Sequence, residues 1–189
     1  MRFTEIETKY SAKKIALAQF QKVCRSWGGV IGTSRPESYD HYFHNKGPAQ
    51  VRHRECGRDP QLTVKAKMKK GNNFRRREAN VHLAPGVDNR GVIEEMASIL
   101  NLNRKFSIFK ESHIIWFEKF NTVYYIVYSD SSKKKELGRF IEIEMSEDYA
   151  WSSEEEAWQL LIKIEKRMAP LGIKAKKRIK KSLYEMYRT

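Results

Sequence analysis

Residues 5 to 9 read Glu5-Ile6-Glu7-Thr8-Lys9, and because side chains alternate across a strand, three charges fall on one face and Ile6 and Thr8 on the other. The pattern returns along the chain. Arg52 and Arg54 flank His53, Lys65 and Lys67 flank Ala66, Arg76 and Glu78 flank Arg77, and Glu142 and Glu144 flank Ile143. Taken strand by strand, such faces suit the solvent side of an open antiparallel sheet whose other side is covered by helices. Taken together they are partly sorted by sign, with carboxylates paired on two strands, cations on two others, and Arg76 and Glu78 mixed. That sorting favours ionic faces gathered around ligands of two kinds.

The rest of the chain supplies enough strands to bring such faces together. Strand character runs through Arg2 to Tyr10, Tyr39 to Phe43, Gln50 to Glu55, Leu62 to Met68, Phe74 to Leu83, Lys105 to Lys110, Ser112 to Phe120, Val123 to Ser129 and Arg139 to Met145. Turns are expected at Gly47-Pro48, Gly57 to Pro60, Gly71 to Asn73 and Asn121-Thr122. Helical spacing is read over Ser11 to Trp27, and over Asp88 to Leu100 with Asp88 as N-cap. Ser152 and Glu155 form an expected capping box for a helix through Met168, and Ile173 to Tyr187 reads as a basic helical tail. The expectation is an α+β protein: an eight-stranded antiparallel β-barrel with helices packed outside, forming one domain over residues 1–189.

Within a barrel, Glu5, Glu7, Glu142 and Glu144 would repel one another, and burial costs several kcal/mol per ion unless a cation compensates (roughly, by the Born argument). An all-oxygen donor set points to Mg²⁺ or Mn²⁺. Lys9, Arg52, Arg54, Lys65, Lys67 and Arg76 call for a polyanion, and guanidinium forks match phosphate oxygens. Metal and polyanion together define a phosphate-chain site. The five histidines share no metal spacing and receive no role.

Charge agrees with this. Lys and Arg number 37 against 23 Asp and Glu, a formal +14 over 189 residues, so an anionic partner is expected. Two cysteines, Cys24 and Cys56, form neither a metal pair nor a disulfide framework. With no apolar signal core and no apolar run near the ~18 residues of a membrane span, the reading is a cytoplasmic protein without a membrane partner, monomeric or homodimeric.

The order of these segments resembles the CYTH superfamily of triphosphate tunnel metalloenzymes. Its E-x-E-x-K strand corresponds to Glu5 through Lys9, followed in order by Asp40-His41-Tyr42-Phe43, Val51-Arg52-His53-Arg54, Leu62-Thr63-Val64-Lys65, and Arg76 with Glu78. The likeness continues through Lys110 and Asp130 to Leu137-Gly138-Arg139-Phe140-Ile141-Glu142-Ile143-Glu144 and ends near Lys181-Ser182-Leu183-Tyr184. The resemblance implies an eight-stranded tunnel with catalytic Glu5, Glu7 and Lys9. Metal would be held by Glu5, Glu7, Glu78, Glu142 and Glu144, and phosphate by Lys9, Arg52, Arg54, Lys65, Lys67, Arg76, Lys110, Arg139 and Lys181. Asn80 and Ser112 stand where the family often has an acid and an arginine.

The activity expected is divalent-metal-dependent hydrolysis of a small-molecule triphosphate: a nucleoside triphosphate, an organic triphosphate or tripolyphosphate. The first alternative is a class IV-type adenylyl cyclase, in which the ribose hydroxyl replaces water as nucleophile. The basic tail, Lys174 to Lys181, adds an RNA 5′ end as partner and RNA 5′-triphosphatase as a further reading, while Asn80 and Ser112 admit a non-catalytic nucleotide trap.

Overall fold

The computed structural model describes residues 4–44, 49–57, 59–66, 75–87 and 89–188. In chain order the elements are β1 (Thr4–Ser11), α1 (Leu17–Arg25), β2 (Val30–Ser34), β3 (Glu37–His44), β4 (Ala49–Cys56), β5 (Gln61–Ala66) and β6 (Arg75–His82), then α2 (Asn89–Ile99), β7 (Asn103–Phe117), β8 (Phe120–Tyr128), β9 (Glu136–Met145), α3 (Glu154–Arg167) and α4 (Leu183–Tyr187). Neighbouring strands run β7-β3-β4-β5-β6-β1-β9-β8, and β8 pairs back onto β7. Every pairing is antiparallel, so eight strands form a closed ring in which inner and outer residues alternate. β2 extends the wall, pairing with β7 over residues 114–117, beyond the reach of β3.

The outer face is apolar where helices lie on it. Ile6 and Tyr10 of β1, Tyr124 of β8 and Ile141, Ile143 and Met145 of β9 pack with Phe20 and Cys24 of α1 and with Ala157, Leu161 and Ile164 of α3. A smaller cluster joins Phe43 and Val51 to Ile93 and Ala97 of α2. The inner face differs along its length. Toward one end, Tyr42, Ile108, Val123, Tyr125, Val127 and Phe140 point inward and pack with Leu183 and Tyr184 of α4. Charged residues occupy most of the remainder, with Ile114, Trp116 and Asn121 alongside them on β7 and β8. Among the described residues no helix is long and apolar enough to cross a membrane.

Local structure departs from expectation in several places. β1 runs on to Ser11 because Tyr10 and Ser11 pair with Ile141 and Phe140, so α1 begins only at Leu17. The two segments expected at 105–110 and 112–120 are one 15-residue strand, β7, held by β3 and β2 on one edge and β8 on the other. Asn121 and Thr122 lie inside β8 rather than in a turn; Phe117 stacked on Phe120 at 4.4 Å closes the hairpin three residues earlier, at Glu118-Lys119. Ser153, not Ser152, caps α3, accepting from the Glu156 amide at 3.1 Å. The tail is not one helix. Gly172 stops the chain in the left-handed region (φ 73°), and Arg178 forks onto Glu165 at 2.8 and 2.7 Å. The Ile179 amide then donates to the Lys9 carbonyl at 2.7 Å, so residues 173–182 strap across the end of β1 and only α4 is helical beyond it. β2 was not expected. Asp88, Arg2, Lys67, Met68 and Phe74 lie outside the described residues.

Candidate active site: a charged barrel interior

Alternation places Glu5, Glu7 and Lys9 on the inner face, as the opposite parity of buried Ile6, Thr8 and Tyr10 requires. The inward residues of the other strands gather around them in two groups.

The first group is cationic and centres on Asp40 of β3, which is fully buried. Its carboxylate accepts from Arg54 Nε and Nη2 of β4 at 2.8 and 3.2 Å, meets Lys110 Nζ of β7 at 2.6 Å, and lies 4.0 Å from Arg52 Nη1. Burial alone would raise the Asp40 pKa, but Arg54, Lys110 and Arg52 outweigh it and hold the carboxyl well below its ordinary range. Three cations thus share one anion. Lys110 bears the consequence: burial, then the neighbouring Arg54 charge, bring its pKa down to about 8 despite Asp40. Arg52 Nη2 donates to Thr63 Oγ1 at 2.9 Å, and that hydroxyl donates to Asn80 Oδ1 at 2.8 Å. Asn80 therefore orients Arg52 through Thr63.

The second group is acidic. Lys65 Nζ of β5 bridges Glu5 (2.8 and 3.0 Å) and Glu78 of β6 (2.6 Å), and although burial alone would raise Glu78, the Lys65 charge and the Glu5 hydrogen bond hold its carboxyl below the ordinary range. Burial and the Glu7 charge push Glu5 well above the usual carboxylate range. Register places Glu7 of β1 directly opposite Glu144 of β9, and Lys9 opposite Glu142. Lys9 Nζ lies 3.5 Å from Glu142 and 3.3 Å from the Lys181 carbonyl, while Tyr125 Oη donates to Glu142 at 2.8 Å. Burial, with Glu7 and Glu142 nearby, pushes Glu144 up to about 7.

A divalent cation fits this second group by chemistry: the donors are carboxylate oxygens, and the raised Glu5 and Glu144 register repulsion that such an ion relieves. Among the described residues, however, no three acidic, histidine or cysteine side chains are already drawn into a cage. Two of the cations, Lys9 and Lys65, hold Glu142, Glu5 and Glu78 meanwhile.

Most residues expected from sequence are thereby brought together: Glu5, Glu7, Lys9, Arg52, Arg54, Lys65, Glu78, Lys110, Glu142 and Glu144. Arg139 is not. It shares parity with Ile141 and Ile143, so it emerges on the outer face, where it forks onto Glu136 at 2.8 to 3.0 Å. Lys181 presents its backbone carbonyl to Lys9 while its side chain is exposed. Arg76 stands opposite Glu5 in the β1–β6 register, and Lys67 lies outside the described residues. Two inward residues had no expected part. Asp40 was read only as a piece of a sequence pattern, although a lone acid among strand-borne arginines and lysines was its signal. Asn121 was hidden by reading it as a turn. Trp116 shares the inner parity of Ile114 and is 39 % exposed.

No family model and no curated protein matches the chain. Solved structures do. The PH1012 protein from Pyrococcus horikoshii OT3 aligns with a TM-score of 0.71 at 20% identity, over 94% of this chain and 96% of that one. A protein described as a "putative adenylate cyclase" from Vibrio parahaemolyticus aligns with a TM-score of 0.71 at 13% identity over the whole of both chains. A chain of the Schizosaccharomyces pombe Mediator head module gives 0.60 at 10% identity, over 89% of this chain and 96% of that one. The chain has the fold of these proteins, a barrel of antiparallel strands. The third of them belongs to a multiprotein assembly, so the fold by itself defines no reaction.

Proposed function

We propose that this chain binds a triphosphate inside the charged part of the barrel and hydrolyses it with the help of a divalent cation. The observation that carries the reading is the pairing of two buried groups of opposite need: three cations around the single carboxylate of Asp40, and mutually repelling carboxylates around Glu7. A phosphate chain has the charge and the oxygen geometry to take over Arg52, Arg54 and Lys110 from Asp40. A bound Mg²⁺ or Mn²⁺ would be held by Glu5, Glu7, Glu142 and Glu144 and would supply charge stabilisation at the transferring phosphoryl group. Lys9, between Glu142 and the Lys181 carbonyl, can turn its ammonium onto a phosphoryl oxygen. The exclusion of bulk water by α4 and the aromatic end strengthens each of these interactions.

A second reading, cyclisation of ATP to cyclic AMP and pyrophosphate, draws on two fold neighbours each described as a "putative adenylate cyclase", one from Vibrio parahaemolyticus and one from Bacillus halodurans (TM-score 0.59, 16% identity). One experiment separates the two. Purified protein is incubated with ATP, other nucleoside triphosphates, thiamine triphosphate or tripolyphosphate, plus Mg²⁺ or Mn²⁺, and the products are resolved. Release of orthophosphate supports hydrolysis, and cyclic AMP with pyrophosphate supports the cyclase. Tight binding without turnover of any of them refutes both.

A further inference from the structure

A metal-bound phosphate chain accounts for Glu7, Glu144 and the other inward charges but not for Asn121 and Trp116, which continue the Glu7–Glu144 row across β8 and β7. Register sets Trp116 of β7 opposite Asn121 of β8, Asn121 opposite Glu144 of β9, and Glu144 opposite Glu7 of β1. The adjoining row carries Ile114, Val123, Glu142 and Lys9, one pleat repeat away, roughly 7 Å. The Trp116 indole is 39 % exposed, and its Nε1 donates to Ser34 Oγ of β2 at 3.3 Å, which fixes the ring on the wall. Asn121 beside it is only 7 % exposed, and its Oδ1 has no hydrogen-bond partner among the described residues. A buried amide oxygen left unpaired is costly unless a ligand completes it. A fixed aromatic face beside an acceptor awaiting a donor is the chemistry that recognises an amino-bearing heteroaromatic ring.

We infer that Trp116 and Asn121 form the base subsite of a nucleoside triphosphate: the indole stacks on the ring and Asn121 Oδ1 accepts from an exocyclic amine. The inference rests on the triphosphate reading of the charged interior and narrows it to substrates with a base. One pleat repeat separates this row from Lys9, the span a ribose fills between base and phosphates. The Ile114–Val123 pair in the Lys9 row offers no polar atom, so the base belongs at Trp116. Inorganic tripolyphosphate would touch neither residue.

Calorimetry with Mg²⁺ tests this on three probes: β,γ-imido-ATP, the same analogue with purine lacking the 6-amino group, and diimidotriphosphate as the phosphate chain alone. The wild type is expected to bind β,γ-imido-ATP about tenfold or more tighter than either other probe. Trp116→Ala and Asn121→Ala are each expected to lose about tenfold for β,γ-imido-ATP and nothing for diimidotriphosphate, with Trp116→Phe keeping most of the affinity. Equal affinity of the wild type for the two base-bearing probes overturns Asn121 as the reader. Variants that weaken all probes alike, or none, overturn the subsite while leaving the triphosphate reading intact. A wild type that binds none of the probes removes both. The comparison of probes on unaltered protein needs no variant to fold.

Discussion

Asp40 is the residue on which the cationic half of the interior turns, and its neighbours inherit the cost of crowding. Lys110, brought down to about 8 by burial and by Arg54, loses its charge within a testable range. Affinity for a phosphate chain is expected to fall as pH rises through about 8, and Lys110→Met is expected to flatten that step; titrating diimidotriphosphate affinity between pH 6.5 and 9.5 reads it directly. Stability moves the other way. Between about 8 and the ordinary 10.5 the unfolded chain holds a proton that the folded one has released, so folding gains with rising pH over that window. The acidic half gives a second prediction at the same scale. Glu5→Gln with Glu7→Gln removes two oxygen donors and much of the repulsion, so turnover is expected to drop at least ~100-fold while the thermal midpoint holds or rises. Unchanged turnover in that double variant removes both glutamates from the reaction.

At the scale of elements, the strands that alternate cleanly between charge and apolar residue were legible in the sequence, because one period settles both their conformation and their facing. β1 and β9 are the clearest: Glu5, Glu7, Lys9, Glu142 and Glu144 point inward as their spacing says. Arg139 obeys the same parity, which sets it on the outer face with Ile141 and Ile143, away from the other residues expected to hold phosphate. What escaped has physical reasons. β2 is a five-residue strand whose one partner among the described residues, β7, is distant in sequence, and Asn121 reads as a turn residue until the stacked Phe117 and Phe120 set the hairpin. The tail has the composition of a helix, yet its backbone is drawn to the end of β1 and its one committed guanidinium to Glu165. Where that tail seats, β9 must be thin. A Cβ at Gly138 would come within 2.9 Å of two Phe140 ring carbons and 3.0 Å of Tyr187 Oη, the last residue of α4. Gly138→Ala is expected to cost about 1–3 kcal/mol in urea unfolding and to make the α4 segment cleavable by protease. An unaltered midpoint and digestion pattern would show that α4 tolerates the intrusion.

Across the whole molecule, each of the eight barrel strands pairs with a neighbour on both sides over at least part of its length among the described residues, while β2 continues the wall on one side. The formal charge of +14 surrounds an interior that gathers anions, so association with any triphosphate is expected to slow several-fold between ~50 and ~200 mM salt as the field is screened. Stopped-flow binding at a series of salt concentrations measures it, and a flat profile would assign capture to the interior alone. The aromatic end with α4 seated in it stoppers the barrel on that side. With entry and exit both expected opposite the stopper, traffic is sequential: spent phosphate has to walk out before fresh substrate walks in. Added diphosphate is therefore expected to raise the apparent KM and leave kcat untouched, and a fall in kcat instead would mean that the stopper lifts in every cycle.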